Sequence, residues 1–127
     1  MRIRYITRII VLGLISCLML AGNVVIAASS QKIPVPGMVT MIDLGAKKCV
    51  PCKMMAPIMD ELEKEYNDRA AIIFIDVWEN PGVAKKFGIN AIPTQIFYNA
   101  EGKEMLRHVG FFDKKSIVTE LQKLGVK

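Results

Sequence analysis

Cys49 and Cys52, held in Cys49-Val50-Pro51-Cys52, are the side chains whose type and spacing point most directly to chemistry. The chain has three cysteines, but Cys17 lies in an apolar N-terminal stretch, so the pair stands alone in the part that reads as a folded domain. Two cysteines this close seal too short a loop to constrain the unfolded chain much, which makes a stabilising staple a poor explanation. Half of a structural zinc site would need two more thiolates or imidazoles, and the domain offers only His108. Cu(I) capture by the thiolates with Met54, Met55 or Met59 is a further reading, although core packing explains those methionines more simply. Reversible thiol-disulfide chemistry remains as the reading that uses both cysteines and nothing else. A thiolate at a helix start is favoured by the free N–H groups and the dipole there, so Cys49 is expected to be the nucleophile. Cys52, one turn further in, is expected to resolve the mixed disulfide that Cys49 forms.

These roles require a strand that hands over to a helix at Cys49. Met38 to Leu44 is an apolar run of strand length, and Gly45-Ala46-Lys47-Lys48 reads as the loop after it. Met55, Ile58, Met59, Leu62 and Tyr66 then recur at helical spacing, with Asp60, Glu61, Glu63 and Lys64 on the opposite side. Pro51 suits a first helical turn, whereas Pro57 lies inside the helix and predicts a bend. Ala71 to Val77 is apolar and rich in branched residues, which predicts a strand buried on both faces and parallel to the first. Asn80-Pro81 predicts the cap of a short helix over Val83 to Phe87, ended by Gly88. Thr94–Tyr98 and Met105–Val109 form a hairpin around residues 99–103, and Asp113 caps a last helix that buries Ile117, Val118, Leu121 and Leu124. The order β-α-β-α-β-β-α implies an α/β domain with a mixed four-stranded sheet flanked by helices.

The N-terminal part is read separately. Arg2, Arg4 and Arg8 precede Ile9–Ala28, which carries no charge, so residues 1–28 are expected to be a signal peptide cut near Ala27 or Ala28, or a membrane anchor. Leu14-Ile15-Ser16-Cys17 also resembles a lipoprotein lipobox. Each outcome puts the domain outside the cytoplasm, in a bacterial periplasm or at a membrane surface, with residues 9–28 as the membrane contact. Residues 29–37, with Pro34, Pro36 and Gly37, read as a linker, and residues 38–127 as the domain. The formal charge of +5 includes the three leader arginines, which leaves +2 for the rest. With lysine and glutamate interleaved through Asp60–Arg69, no one-sided basic stripe exists for a nucleic-acid backbone.

The stretch from Asp43 to Pro57, Asp43-Leu44-Gly45-Ala46-Lys47-Lys48-Cys49-Val50-Pro51-Cys52-Lys53-Met54-Met55-Ala56-Pro57, resembles the active-site segment of thioredoxins. Asn80-Pro81, the run Phe87 to Thr94, Glu101-Gly102 and Val109-Gly110 extend the resemblance over Met38–Leu124. It implies a thioredoxin-like fold with an abbreviated N-terminal part, since Ser29–Gly37 leaves little room for a further strand and helix. It implies that Asp43 is a buried carboxylate exchanging protons with Cys52, and that Pro93 follows a cis bond facing the cysteines. Val50, Pro51, Ile92, Pro93 and Gly110 become the expected substrate contacts. The sequence departs from the family at Lys48, where a tryptophan usually precedes the nucleophile, and at Gly45, a second aromatic position. Phe74 aligns with the lysine that neighbours the aspartate.

The function expected from these residues is disulfide reduction in exported proteins, with a membrane protein as electron donor. The alternatives are a periplasmic oxidase or isomerase, or a copper or assembly chaperone. No metal or prosthetic group is expected, the Cys49–Cys52 disulfide being the redox centre.

Overall fold

The computed structural model describes residues 32–127; the leader, Cys17 and the alternatives for residues 9–28 lie outside the described residues. Four strands and three helices follow in the order β1 (Thr40–Gly45), α1 (Val50–Glu65), β2 (Ala71–Asp76), α2 (Val83–Phe87), β3 (Thr94–Tyr98), β4 (Glu104–Val109) and α3 (Lys114–Lys123). The sheet order is β2-β1-β3-β4. β1 and β2 are parallel, joined by α1, and β3 lies antiparallel to both β1 and β4. This is the mixed four-stranded α/β sheet that the order of elements implied.

β1 is one of the two central strands, and its six residues are all buried. Alternation sends Met41 to one face of the sheet, where it packs with Met55, Met59, Leu62 and Phe97, and sends Ile42 and Leu44 to the other, with Ile96 and Tyr98. The helical pattern read from α1 is correct: Met55, Met59 and Leu62 are buried and the charged residues are outside. Pro57 lies inside α1 without interrupting it. Met54 differs from the packing expectation, since it points outward and is more than half exposed.

Three further differences concern boundaries and edges. β2 is a sheet edge rather than a strand buried on both faces: Ile73 and Ile75 are half-buried and Phe74 is exposed. An apolar run of this kind suits an interior strand or an edge strand partly covered by its neighbours, and only the strand order separates them. The cap of α2 is Gly82, with φ at +87°, while Asn80 bonds back through its side chain to the Asp76 carbonyl, 2.8 Å away. α3 begins as expected, the Asp113 carboxylate accepting from the Ser116 amide at 3.0 Å. The segment read as a linker touches the domain: the Val35 amide donates to Thr40 Oγ1 at 3.0 Å and the Gly37 amide to the Ala100 carbonyl at 3.1 Å.

Candidate active site

Cys49 is the N-cap of α1, in an extended conformation with φ −81° and ψ 128°. Its carbonyl accepts the first helical hydrogen bond, from the Lys53 amide at 3.0 Å, and its own amide is tied to the Ala46 carbonyl at 3.1 Å. The sulfur thus sits at the end of a 16-residue helix with free N–H groups around it, the electrostatic setting that favours thiolate. Cys49 and Cys52 form a disulfide with a Cα–Cα separation of 5.2 Å. The two differ in access: Cys49 is half-buried, while Cys52 is only 3% exposed. Between them Val50 and Pro51 face outward, Val50 being 73% exposed.

The loop that delivers Cys49 is fastened by Asp76 at the end of β2. One carboxylate oxygen accepts from the Lys47 amide at 2.9 Å, and the other from the amides of Trp78 and Glu79 at 2.9 and 3.1 Å. These bonds hold the Asp76 carboxyl below the usual carboxylate range, the Lys47 amide having the largest influence. Trp78 itself is exposed.

Gly45 is the point where β1 meets the cysteines. A Cβ there would lie 3.1 Å from the Phe74 ring and 3.3 Å from Cys52 Sγ, so the missing side chain is what lets both groups approach the strand. A cavity of about 210 Å³ opens beside Cys52, its walls including Ala46, Ala56, Met59 and Phe74 and its rim Lys47 and Lys53.

Asp43 lies two residues before Gly45 on the same face of β1 and is fully buried. Gln95, its register partner on β3, donates from Nε2 to Asp43 Oδ1 at 2.8 Å. Phe74 is the register partner on β2, so no lysine occupies the place that the resemblance associates with the aspartate. Burial pushes the Asp43 carboxyl up to about 6, against the smaller opposing influence of the Gln95 amide.

The Ile92-Pro93 bond is cis, Pro93 is buried and Ile92 half-buried. The antiparallel register pairs Leu44 with Thr94, and one further step sets Pro93 across from Gly45, at the cysteine end of the sheet. Gly110 reaches the same place, its amide donating to the Pro93 carbonyl at 2.8 Å with φ at +102°, a conformation that favours glycine. Thr94 Oγ1 pins the turn by donating to the Ala91 carbonyl at 2.7 Å.

A strand-to-helix handover with a capping, half-buried cysteine, a buried second cysteine, a buried aspartate and a cis-proline turn now stand at one end of one sheet. The family model described as thioredoxin matches residues 23–123. The chain belongs to the thioredoxin family. The thioredoxin of Staphylococcus saprophyticus is 39% identical over 85 residues, which are 67% of this chain and 81% of that protein. The M-type chloroplastic thioredoxin of Spinacia oleracea is 38% identical over 84 residues, covering 65% of this chain and 45% of its own. Among solved structures, chloroplastic thioredoxin z superposes with a TM-score of 0.62 at 25% identity, covering 72% of this chain and 81% of that one. An exposed lipoprotein thioredoxin of Streptococcus pneumoniae gives 0.61 at 23% identity over 68% of this chain and 85% of its own, a likeness of fold. This thioredoxin-family chain is a protein-disulfide oxidoreductase.

Two residues escaped the sequence reading. Gln95 is a lone amide before the apolar or aromatic run Ile96-Phe97-Tyr98, and a polar side chain within a run of strand pattern was the available signal. Asp76, the anchor of the Lys47 loop, ends a strand run in the same way.

Proposed function

We propose that this oxidoreductase reduces disulfides of exported proteins outside the cytoplasm and is recharged by a membrane electron donor. The observation that carries the division of roles between the cysteines is the asymmetry of the pair: Cys49 caps α1 within reach of solvent and Cys52 is buried behind it. In the reduced protein the Cys49 thiolate attacks a substrate disulfide, forming a mixed disulfide and expelling one substrate thiolate. The Cys52 thiol then gives its proton to Asp43 and attacks Cys49 Sγ. The Cys49–substrate bond breaks, the second substrate sulfur leaves as a thiolate that takes a proton from water, and the Cys49–Cys52 bond forms. Two electrons pass to the substrate. Val50, Pro51, Ile92, Pro93 and Gly110 receive the extended substrate segment, with the Ile92 backbone as its pairing edge. The arginine-flanked apolar run over residues 1–28 supports the compartment and the membrane contact.

The deciding measurement is the reduction potential of the pair by equilibrium with dithiothreitol and glutathione. A value near roughly −270 mV supports a reductase, and one near roughly −120 mV overturns it in favour of an oxidase. Cys49→Ser is expected to abolish insulin-disulfide reduction, while Cys52→Ser accumulates the mixed disulfide. In cells, alkylation of Cys49 by a membrane-impermeant maleimide tests the compartment.

A further inference from the structure

Asp43 and Gln95 lie directly opposite each other on neighbouring central strands, both fully buried. One hydrogen bond joins them, Gln95 Nε2 to Asp43 Oδ1 at 2.8 Å. The other end of each group, Asp43 Oδ2 and Gln95 Oε1, is a buried acceptor with no partner among the described residues. Two unpartnered acceptors on two groups already bonded to each other are costly in an apolar interior. A single proton removes both defects. Placed on Oδ2, it makes the carboxyl a donor, and the amide has one acceptor left over to receive it.

We infer that Gln95 is the positioning residue for the Asp43 proton, holding the neutral acid in a two-point pair: Nε2–H to Oδ1 and Oδ2–H to Oε1. The inference rests on the reading of Asp43 as the group that exchanges a proton with Cys52. When Cys52 attacks the mixed disulfide, its thiol proton moves to Asp43, and the pair closes as the Cys49–Cys52 bond forms. When the acid ionises, the pair falls back to the single Nε2–H bond, which becomes charge-assisted and supports the carboxylate. Gln95 thus supports either state, in a site where Phe74 stands on the other flank of Asp43. The other titratable groups nearby are Cys52 on α1, Asp76 opposite Gly45 at the end of β2, and His108 on β4 opposite Gln95. His108 is turned to its own neighbours, its ring stacked on Phe112 and Nε2 lying 3.2 Å from the Phe111 carbonyl.

The test combines infrared spectroscopy and kinetics on the full chain. In the oxidised wild-type protein, below the Asp43 midpoint, the carboxylic-acid C=O band assigned by its loss in Asp43→Asn is expected at the low wavenumber of a doubly bonded acid. Gln95→Met keeps the shape and removes both bonds. It is expected to move that band to the wavenumber of a free acid. It also raises the pH midpoint of the Cys52-dependent resolving step, because a carboxylate left without any donor is harder to form than a neutral acid. Near pH 5, below both midpoints, the resolving step slows by about 10-fold, which corresponds to a midpoint raised by about one unit; at pH 7 the gap narrows to about twofold, and it closes at higher pH. A free-acid band in the wild type overturns the pair whatever the variant does, as does an unchanged midpoint in Gln95→Met. Retention of the pH step in Asp43→Asn would instead sink the Asp43 reading itself.

Discussion

The two faces of β1 use the same degree of burial for opposite ends. On one face Ile42 and Leu44 are fully buried beside Ile96 and Tyr98, and every group there gains by leaving water. On the other face the strand passes from Met41, packed against α1, through Asp43 to Gly45, where a side chain would meet Cys52. Burial that stabilises every group of the first face is costly at one position of the second, Asp43, because a carboxylate loses solvation there and gains one amide bond. The difference teaches that the cost on the reactive face is local to Asp43, and that the apolar cluster of Met41, Met55, Met59, Leu62 and Phe97 on that same face holds the reactive groups in place.

Leu44→Ala should break the first face and spare the second. A fully buried leucine truncated to alanine costs about 2–5 kcal/mol, read as a lower urea midpoint, while disulfide reduction by the folded variant stays near wild type. Asp43→Asn should do the reverse. The Asp43 carboxyl has its proton held more tightly in the fold, near about 6, than in the unfolded chain, near 3.8. Between those values the unfolded chain ionises first, so the folded state loses stability as pH rises, and the full cost stands above about 6. It amounts to about 3 kcal/mol at neutral pH. Asp43→Asn is therefore expected to gain roughly that much in urea unfolding at pH 7.5 and almost nothing below pH 4. Its resolving step should slow by about 10-fold or more, since general acid-base assistance is lost. An equal gain at both pH values would contradict burial of the charge as the cause.

The smallest effect is expected at the junction of the two faces. Gly45→Ala sets a methyl 3.1 Å from the Phe74 ring and 3.3 Å from Cys52 Sγ. Phe74 is exposed and can move outward, so the cost is about 1 kcal/mol, measured by thermal unfolding of the oxidised protein. Access of small thiol reagents to Cys52 in the reduced protein should fall as the adjoining cavity is narrowed.

How much of this was legible beforehand depends on sequence distance. The strand, the capped helix and the hairpin are patterns of neighbours, and the sequence reading located each to within a residue or two because periodicity and turn chemistry act locally. The cap of α2 was misplaced because Asn80 bonds backward to Asp76 rather than forward into the helix. Met54 was misjudged because three methionines close together cannot all lie on one helical stripe.

By itself, the sequence determined the redox pair, its place at a strand-to-helix handover, the order of the elements and the charge that argues against a nucleic-acid partner. Those features follow from side-chain chemistry and from interactions across a few residues. Only the tertiary structure decided that β2 is an edge and that Gln95, 52 residues away in the chain, donates to Asp43. Each of these depends on which strands lie side by side and in what register, and a shift of one residue would have turned every one of those side chains to the other face.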